Sequence, residues 1–382
     1  MLGINSNINS LVAQQNLNGS QSALSQAITR LSSGKRINSA ADDAAGLAIS
    51  TRMQTQINGL NQGVSNANDG VSMVQTASSA LSSLTSSLQR IRQLAVQAST
   101  GSLSSSDQAA LQKEVAAQIS EVNRIASQTT YNGTNILDGS AGSLTFQVGA
   151  NVGQTISLNL SQSMSAAKIG GGLVQTGQTV GTVSLSVDSA GAYTTAASPA
   201  ITAINVLSDG KGGYTFTDQN NQAIAATVAA AVFGAGATAG TGTQGTALAL
   251  QAAATTTAGA GSAAQMSAVA QINAINSPPT VANLDISTVT GANEAMVSID
   301  NALQTVNNLQ ASLGAAQNRF TAIATSQQAE STDLSSAQSQ ITDANFAQET
   351  ANLSKAQVLQ QAGISVLAQA NSNPQQVLKL LQ

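Results

Sequence analysis

Two adjacent acids, Asp42 and Asp43, sit in the stretch SSGKRINSAADDAAGLAIS, residues 32–50, of a chain in which only 8% of residues are charged. Paired carboxylates can serve general acid and base catalysis or ligate a hard metal. The commoner reactive groups are missing. The 382 residues include no His and no Cys, which removes the usual general base, the thiolate nucleophile and the softer metal ligands together. Neighbouring residues on a helix point about 100° apart, so Asp42 and Asp43 are poorly placed to grip one metal or to flank one scissile bond. Ser39-Ala40-Ala41-Asp42 instead has the spacing of a helix cap, a hydroxyl followed three residues later by an acid. Both acids are then expected in a first helical turn, facing the positive end of the helix dipole for about 0.3–1 kcal/mol each. Lys35 and Arg36 just upstream offer ion-pair partners. We therefore expect Ser39, Asp42 and Asp43 to form a capped joint, with no catalytic, cofactor-binding or metal-binding residue.

Other chemical signals are weaker. A carboxylate-only hydrolase in the middle of the chain would have to draw on Asp188, Asp209, Asp218 and Asp285. The Gly-rich GGGL at 170–173 lacks the flanking strand, spacing and Lys of a phosphate loop. Sequons stand at Asn132 and Asn352 and matter only in a glycosylating compartment. Thirteen basic and 17 acidic residues give a net charge of −4, so no basic field exists to hold nucleic acid. No apolar run approaches the ~20 residues needed to span a bilayer. The opening MLGINSNINSLVAQQ lacks the basic region and apolar run of a cleavable secretory signal.

The expected fold is mainly α: a long antiparallel coiled-coil helix bundle built from both chain ends, with a β-hairpin region and an inserted β-rich outer domain. Aromatics make up 2% of the chain against 42% hydrophobic residues, which favours close packing of Ala, Leu, Val and Ile on helices. Near the carboxyl end Ile299, Ala302, Val306, Leu309, Leu313, Ala316, Phe320 and Ile323 alternate steps of three and four. The register resumes at Leu334, Ala337, Ile341 and Ala344, giving a seam of roughly 70 Å if helical throughout. The amino-terminal third answers it with Ile57, Leu60, Val64, Ala67, Val71 and Val74, then Ala77, Leu81, Leu84, Leu88, Ile91, Ala95 and Ala98. TGSLSSSD at 100–107 breaks that pattern and can cap a third helix striped by Leu111, Val115, Ile119, Val122 and Ala126. From Thr130 to about Leu160 the period becomes two and the turns read Asn-Gly and Asp-Gly, which predicts β-hairpins. Residues 169–287 are rich in Gly, Ala and Thr, with strand candidates at 182–187 and 214–218.

The chain ends have apolar residues on several faces. Ile4, Ile8, Leu11 and Val12 cluster on one side of a helix, and Leu17, Leu24, Ile28 and Leu31 fall nearly opposite. In the tail, Val358, Leu359, Ala362, Ile364, Val366 and Leu367 spread over more than half the circumference, and Val377, Leu378, Leu380 and Leu381 follow. A lone molecule has too little mass at its ends to cover these faces. We expect them to be poorly ordered alone and helical among copies, with Ile4, Ile8, Leu11, Leu24, Ile28, Leu31, Leu359, Val366, Leu367, Leu378 and Leu381 at the contacts.

The chain resembles the bacterial flagellin family through NINSLVAQQNL at 7–17, RLSSGKRINSAADDAAGLAIS at 30–50 and LQRIRQLAVQAS at 88–99. The likeness continues in QTTYNGTNILDG at 128–139, LGAAQNRF at 313–320 and ANLSKAQVLQQAGISVLAQAN at 351–371. The resemblance implies a structural, non-enzymatic subunit that self-assembles into the helical filament of the extracellular flagellum, for swimming motility. It implies that residues 1–40 and 346–382 form the inner filament core, that 41–168 and 288–345 form the helix bundle with its hairpin, and that 169–287 project outward. It also implies export without a cleavable signal, and as partners a flagellar export chaperone, the filament cap and hook–filament junction proteins. Flagellins detected by a vertebrate Toll-like receptor are similar to this chain at Gln89, Arg90, Leu94 and Glu114, although many carry an acid where Gln93 stands. Neutral Gln340 likewise departs from relatives with a basic residue there. The competing readings are a junction protein or adhesin of related build and an enzyme in the middle domain; the zinc motif of protease-like relatives needs two His, and none is present.

Overall fold

The computed structural model describes residues 7–192, 194, 199–234, 247–251 and 263–380, with side chains through residue 372. In chain order they form α1 (Ile8–Ser33), α2 (Ala44–Ala98), α3 (Ser105–Gln128), β1 (Thr130–Tyr131), β2 (Thr134–Asn135), β3 (Gly142–Gln147) and β4 (Thr155–Leu160). There follow β5 (Thr179–Val187), β6 (Ile201–Ser208), β7 (Tyr214–Thr217), α4 (Ala226–Phe233), α5 (Ala263–Ile275), a 3-10 turn at Val281–Asn283, α6 (Val289–Thr342) and α7 (Phe346–Leu380). The chain divides into two compact units, the first 1–67, 147–155 and 322–382, the second 68–146 and 156–321.

In the second unit, the expected seam is buried. Ala77, Leu81, Leu84, Leu88, Ile91, Ala95 and Ala98 of α2, Val115 and Val122 of α3, and Ile299, Ala302, Val306, Leu313 and Phe320 of α6 are all inaccessible to solvent. Polar ties flank this core. Arg92 Nε donates to Asp300 Oδ1 at 2.7 Å between α2 and α6, and Arg90 Nε to Glu114 Oε1 at 2.8 Å between α2 and α3. The break before α3 is closed by a capping box: Asp107 N donates to Ser104 Oγ, while Ser104 N donates to Asp107 Oδ2. Phe320 fills the gap between α2 and β3. A methyl group on Gly70 would lie 2.7 Å from its ring, and the Phe146 ring meets it edge-on at 5.2 Å and 85°.

The small strands follow the turn signals. β1 pairs antiparallel with β2 around Asn132 (φ 48°) and Gly133 (φ 78°), two positive φ values in a two-residue turn. β3 pairs with β4, and β5, β6 and β7 form an antiparallel sheet in that order. The expected strands at 182–187 and 214–218 are β5 and β7, while β6, α4 and α5 have no counterpart in the expected pattern. Phe216 of β7 stacks on Phe233 of α4 at 5.2 Å. Ile272 of α5 packs so tightly on β5 that a methyl on Gly181 would lie 2.5 Å from it.

In the first unit, α1 and α7 lie against each other through a seam with steps of three and four: Ala13, Leu17, Ser20, Leu24, Ala27 and Leu31 on α1, Leu353, Ala356, Gln360, Gly363, Leu367 and Ala370 on α7. A methyl on Gly363 would meet Leu17 Cδ1 at 3.3 Å. Asn7 Nδ2 donates to the Ala370 carbonyl and Ser10 Oγ to Asn371 Oδ1, both at 2.8 Å, joining residues more than 360 positions apart. The linkers after α1 and α6 also pair: Arg36 N donates to Thr342 O at 2.6 Å, and Ala344 N to Gly34 O at 2.9 Å. This pairing ends α6 at Thr342, so Ala344 lies in the linker and not on the expected helical seam.

The β3–β4 turn rests on α2 within the same unit. Ala150 lies 2.9 Å from where a methyl on Gly59 would stand, and Val148 O occupies the space a methyl on Gly63 would need. A methyl on Gly314 of α6, by contrast, would meet nothing within 4 Å. Gly63→Ala is therefore expected to destabilise the protein by about 1–3 kcal/mol by overpacking. Gly314→Ala should stabilise it by up to about 1 kcal/mol through helix propensity. Urea unfolding curves on the two variants check this opposition of sign.

Candidate assembly surface and the joint beside it

The paired aspartates precede α2 and do not occupy its first turn as expected. Asp43 is the residue before the helix; its Oδ1 accepts from Gly46 N at 2.8 Å, and its carbonyl accepts the first helical bond from Leu47 N at 3.0 Å. Asp42 stands one residue further out and ties the linker turn, its Oδ2 accepting from Asn38 N at 3.2 Å, Ser39 N at 3.0 Å and Ser39 Oγ at 3.1 Å. Ser39 thus serves the turn, and Asp43 caps the helix. Chiefly the Asn38 amide, then that of Ser39, holds the Asp42 carboxyl below the usual carboxylate range. Gln26 of α1 reaches Asp42 Oδ1 at 3.3 Å, and Arg30 of α1 stands 4.0 Å from Asp42 and 3.5 Å from the buried Glu349 of α7. The joint therefore gathers both terminal helices and the start of α2. Asp43→Ala is expected to cost about 1 kcal/mol as a lost cap, with Asn at the position restoring most of it, read as thermal unfolding midpoints.

The acids considered for a hydrolase are committed to the backbone. Asp188 Oδ1 accepts from the amides of residues 190 and 192 at 2.9 and 2.8 Å, Asp209 Oδ1 from 211 and 213 at 2.7 and 2.8 Å, and Asp218 Oδ1 from 220 and 222 at 2.8 Å each. In each loop the residue three after the acid has positive φ: Gly191, Gly212 and Asn221. An Asp followed three residues later by Gly or Asn was a legible signal for this repeated loop, and sequence reasoning missed it. Asp285 Oδ1 likewise accepts from Ser287 N at 2.9 Å. Among the described residues no three His, Cys, Asp or Glu side chains group to hold a metal, and no helix is long and apolar enough to cross a membrane.

The exposed apolar surface is concentrated on α1 and α7. Of the fourteen large apolar side chains exposed among the described residues, nine lie there: Ile8, Leu11, Val12 and Ile28 on α1, Phe346, Val358, Leu359, Ile364 and Val366 on α7, at 48 to 70% exposure. Charge is almost absent from these helices. Arg30 is the only charged residue of α1, and α7 has Glu349, Lys355 and Lys379. Leu24, Leu31 and Leu367 differ from expectation. Each is half-buried on the α1–α7 seam, because Leu17, Leu24 and Leu31 repeat every seven residues and find a partner within the chain. Ile28 falls outside that repeat and is exposed. Ile4 and Leu381 lie outside the described residues, and so does the side chain of Leu378.

Of the residues compared with a receptor epitope, Gln89 and Arg90 are exposed on α2, and Glu114 of α3 is half-exposed, joined to Arg90 Nη2 at 2.6 Å. Leu94 is 1% exposed and packs in the helix core, so it supports this surface from beneath and cannot itself touch a partner.

Comparison with known proteins agrees along the whole chain. Residues 4–142 match the bacterial flagellin N-terminal helical region, 172–275 the flagellin D2 domain and 296–381 the bacterial flagellin C-terminal helical region. The B-type flagellin of Pseudomonas aeruginosa is 37% identical, with all of both chains covered. A flagellin of Serratia marcescens is 41% identical over 99% of both. The solved structure of FliC from Burkholderia pseudomallei is 67% identical, covers 66% of this chain and 100% of its own, and superposes with a TM-score of 0.61.

Proposed function

Because the chain belongs to the bacterial flagellin family, we propose that the outward apolar faces of α1 and α7 drive its polymerisation into the flagellar filament. The protein is a structural subunit of the extracellular filament, and its family is not one of enzymes. The observation that carries the proposal is the number of separate faces left bare. Ile8, Leu11 and Val12 project from α1 away from the seam, and Val358, with Leu359 and Val366, projects from other sides of α7. One twofold partner buries a single self-complementary patch, whereas several different faces call for head-to-tail contacts with several copies, which build an open helical polymer. Each contact gains roughly 25 cal/mol per Å² of apolar surface before ordering costs are deducted.

The same reading divides the chain into core segments 1–40 and 346–382, a bundle of 41–168 and 288–345, and an outer domain of 169–287. The bare faces of a single chain also suit an export chaperone, and at the filament ends cap and junction proteins. Export then proceeds without a cleavable signal. Gln89, Arg90 and Glu114 form the surface offered to a Toll-like receptor, with neutral Gln93 weakening the contact. A reporter-cell assay should give a response to monomer that Arg90→Ala lowers; silence beside a responding agonist removes this part. Electron microscopy of concentrated protein under mild salting-out tests the main proposal. Long filaments are expected. Discrete dimers or amorphous aggregate alone would overturn it.

A further inference from the structure

We propose that Asn132 is a built-in site of spontaneous deamidation, an unassigned covalent modification that places a new carboxylate on the surface of the second unit. The chain contains three Asn-Gly pairs, Asn18-Gly19, Asn58-Gly59 and Asn132-Gly133. The first two lie inside α1 and α2, where helical bonds fix the backbone, and Gly59 is further pinned by Ala150. Asn132-Gly133 is the exposed turn between two strands of two residues each, held by the pairs Thr130–Asn135 and Tyr131–Thr134. So short a hairpin opens at little cost. Gly133 has no Cβ to obstruct the approach of its own amide, and a methyl added there would meet nothing within 4 Å. In the reaction the Gly133 nitrogen attacks Asn132 Cγ and loses its proton. The Cγ–Nδ2 bond breaks, and ammonia leaves. Water then opens the five-membered imide at either carbonyl, giving aspartate or isoaspartate with no change of oxidation state.

The setting gives the change a consequence. Asn132 lines a surface cleft of about 630 Å³ with Asp69, Met73, Tyr131, Leu144 and Phe146. Deamidation puts a second negative charge in a cleft that already holds the Asp69 carboxylate. The isoaspartate form also adds a backbone methylene to a two-residue turn, which cannot keep the Tyr131–Thr134 register.

The test is ageing of the soluble full-length chain in mildly alkaline buffer, followed by peptide mass spectrometry. We expect the acid at 132 to accumulate as a mixture of aspartate and isoaspartate, about tenfold or more faster than at Asn18 or Asn58, whose helices must open first. The same sites in urea should react at similar rates, and Asn132→Gln should remove the product. An intact Asn132 in folded protein that reacts readily in urea would overturn the proposal, as would equal rates at all three folded sites. Because the readout is taken on unpolymerised chain, its failure leaves the assembly proposal untouched.

Discussion

Removing residues 1–30, or residues 350–382, is expected to abolish pelletable filaments while the second unit keeps its helical circular dichroism signal and cooperative melt. Neither deletion touches the α2–α3–α6 core of the second unit, whose buried apolar side chains on these helices lie between Met73 and Phe320. Each deletes one partner of the α1–α7 pair and four of the nine exposed large apolar side chains on it. Finer variants separate folding of the pair from its use. Leu11→Glu and Val358→Glu each place a charge on an outward face and leave the seam of Leu17, Leu24, Leu31 and Leu367 intact. A buried Leu or Val side chain contributes about 1.5–3 kcal/mol, and charge burial adds to the loss. With every 1.4 kcal/mol worth tenfold, either substitution should raise the critical concentration by roughly a hundredfold or more. Sedimentation across a concentration series checks this. Filaments from a deletion, or an unchanged critical concentration in both point variants, would refute the assignment.

Phe320→Ala is expected to cost about 3–5 kcal/mol of stability, the usual range for a fully buried ring replaced by a methyl. Phe320 is inaccessible to solvent, meets Phe146 edge-on, and lies against Gly70, whose lack of a side chain leaves room for the ring. The cavity cannot close easily, since α2 and α6 are held at a fixed spacing by the buried Leu and Ile residues on either side. Phe320→Leu should recover a substantial part of the loss. Gly70→Ala should destabilise the wild type yet be tolerated beside Phe320→Ala, because the methyl then enters empty space. Guanidinium unfolding of the four proteins gives the coupling energy directly. Simple additivity of the two changes would mean that ring and glycine do not share the space.

The sequence disclosed the long helices because their seams obey one period: Leu81, Leu84, Leu88, Ile91 and their partners on α6 are buried as the spacing requires. The same period also places Leu94, three residues after Ile91, in the core, whatever its likeness to an epitope. The terminal helices were legible as apolar on several faces. Which face meets the other end of the same chain was not, because that depends on a heptad shared by residues 17–31 and 353–370, read separately as two isolated segments. α2 starts at Ala44, four residues later than a cap at Ser39 would set it, because Ser39 and Asp42 satisfy a local turn as well as they would a cap. In the middle domain β6, α4 and α5 are built largely from Ala, Val and Ile, for which period and composition support strand or helix equally; tertiary contacts such as Phe216 on Phe233 decide between them.

The bonds from Asn7 to Ala370 and from Ser10 to Asn371 join residues more than 360 positions apart, so α1 waits for most of the chain before it meets α7. Until residues 353–370 have been made α1 has no mate, and a chain broken off before them never acquires one. The α1–α7 coil should therefore act as a gate on assembly: a chain that lacks either helix cannot present the surface that growth of the polymer requires.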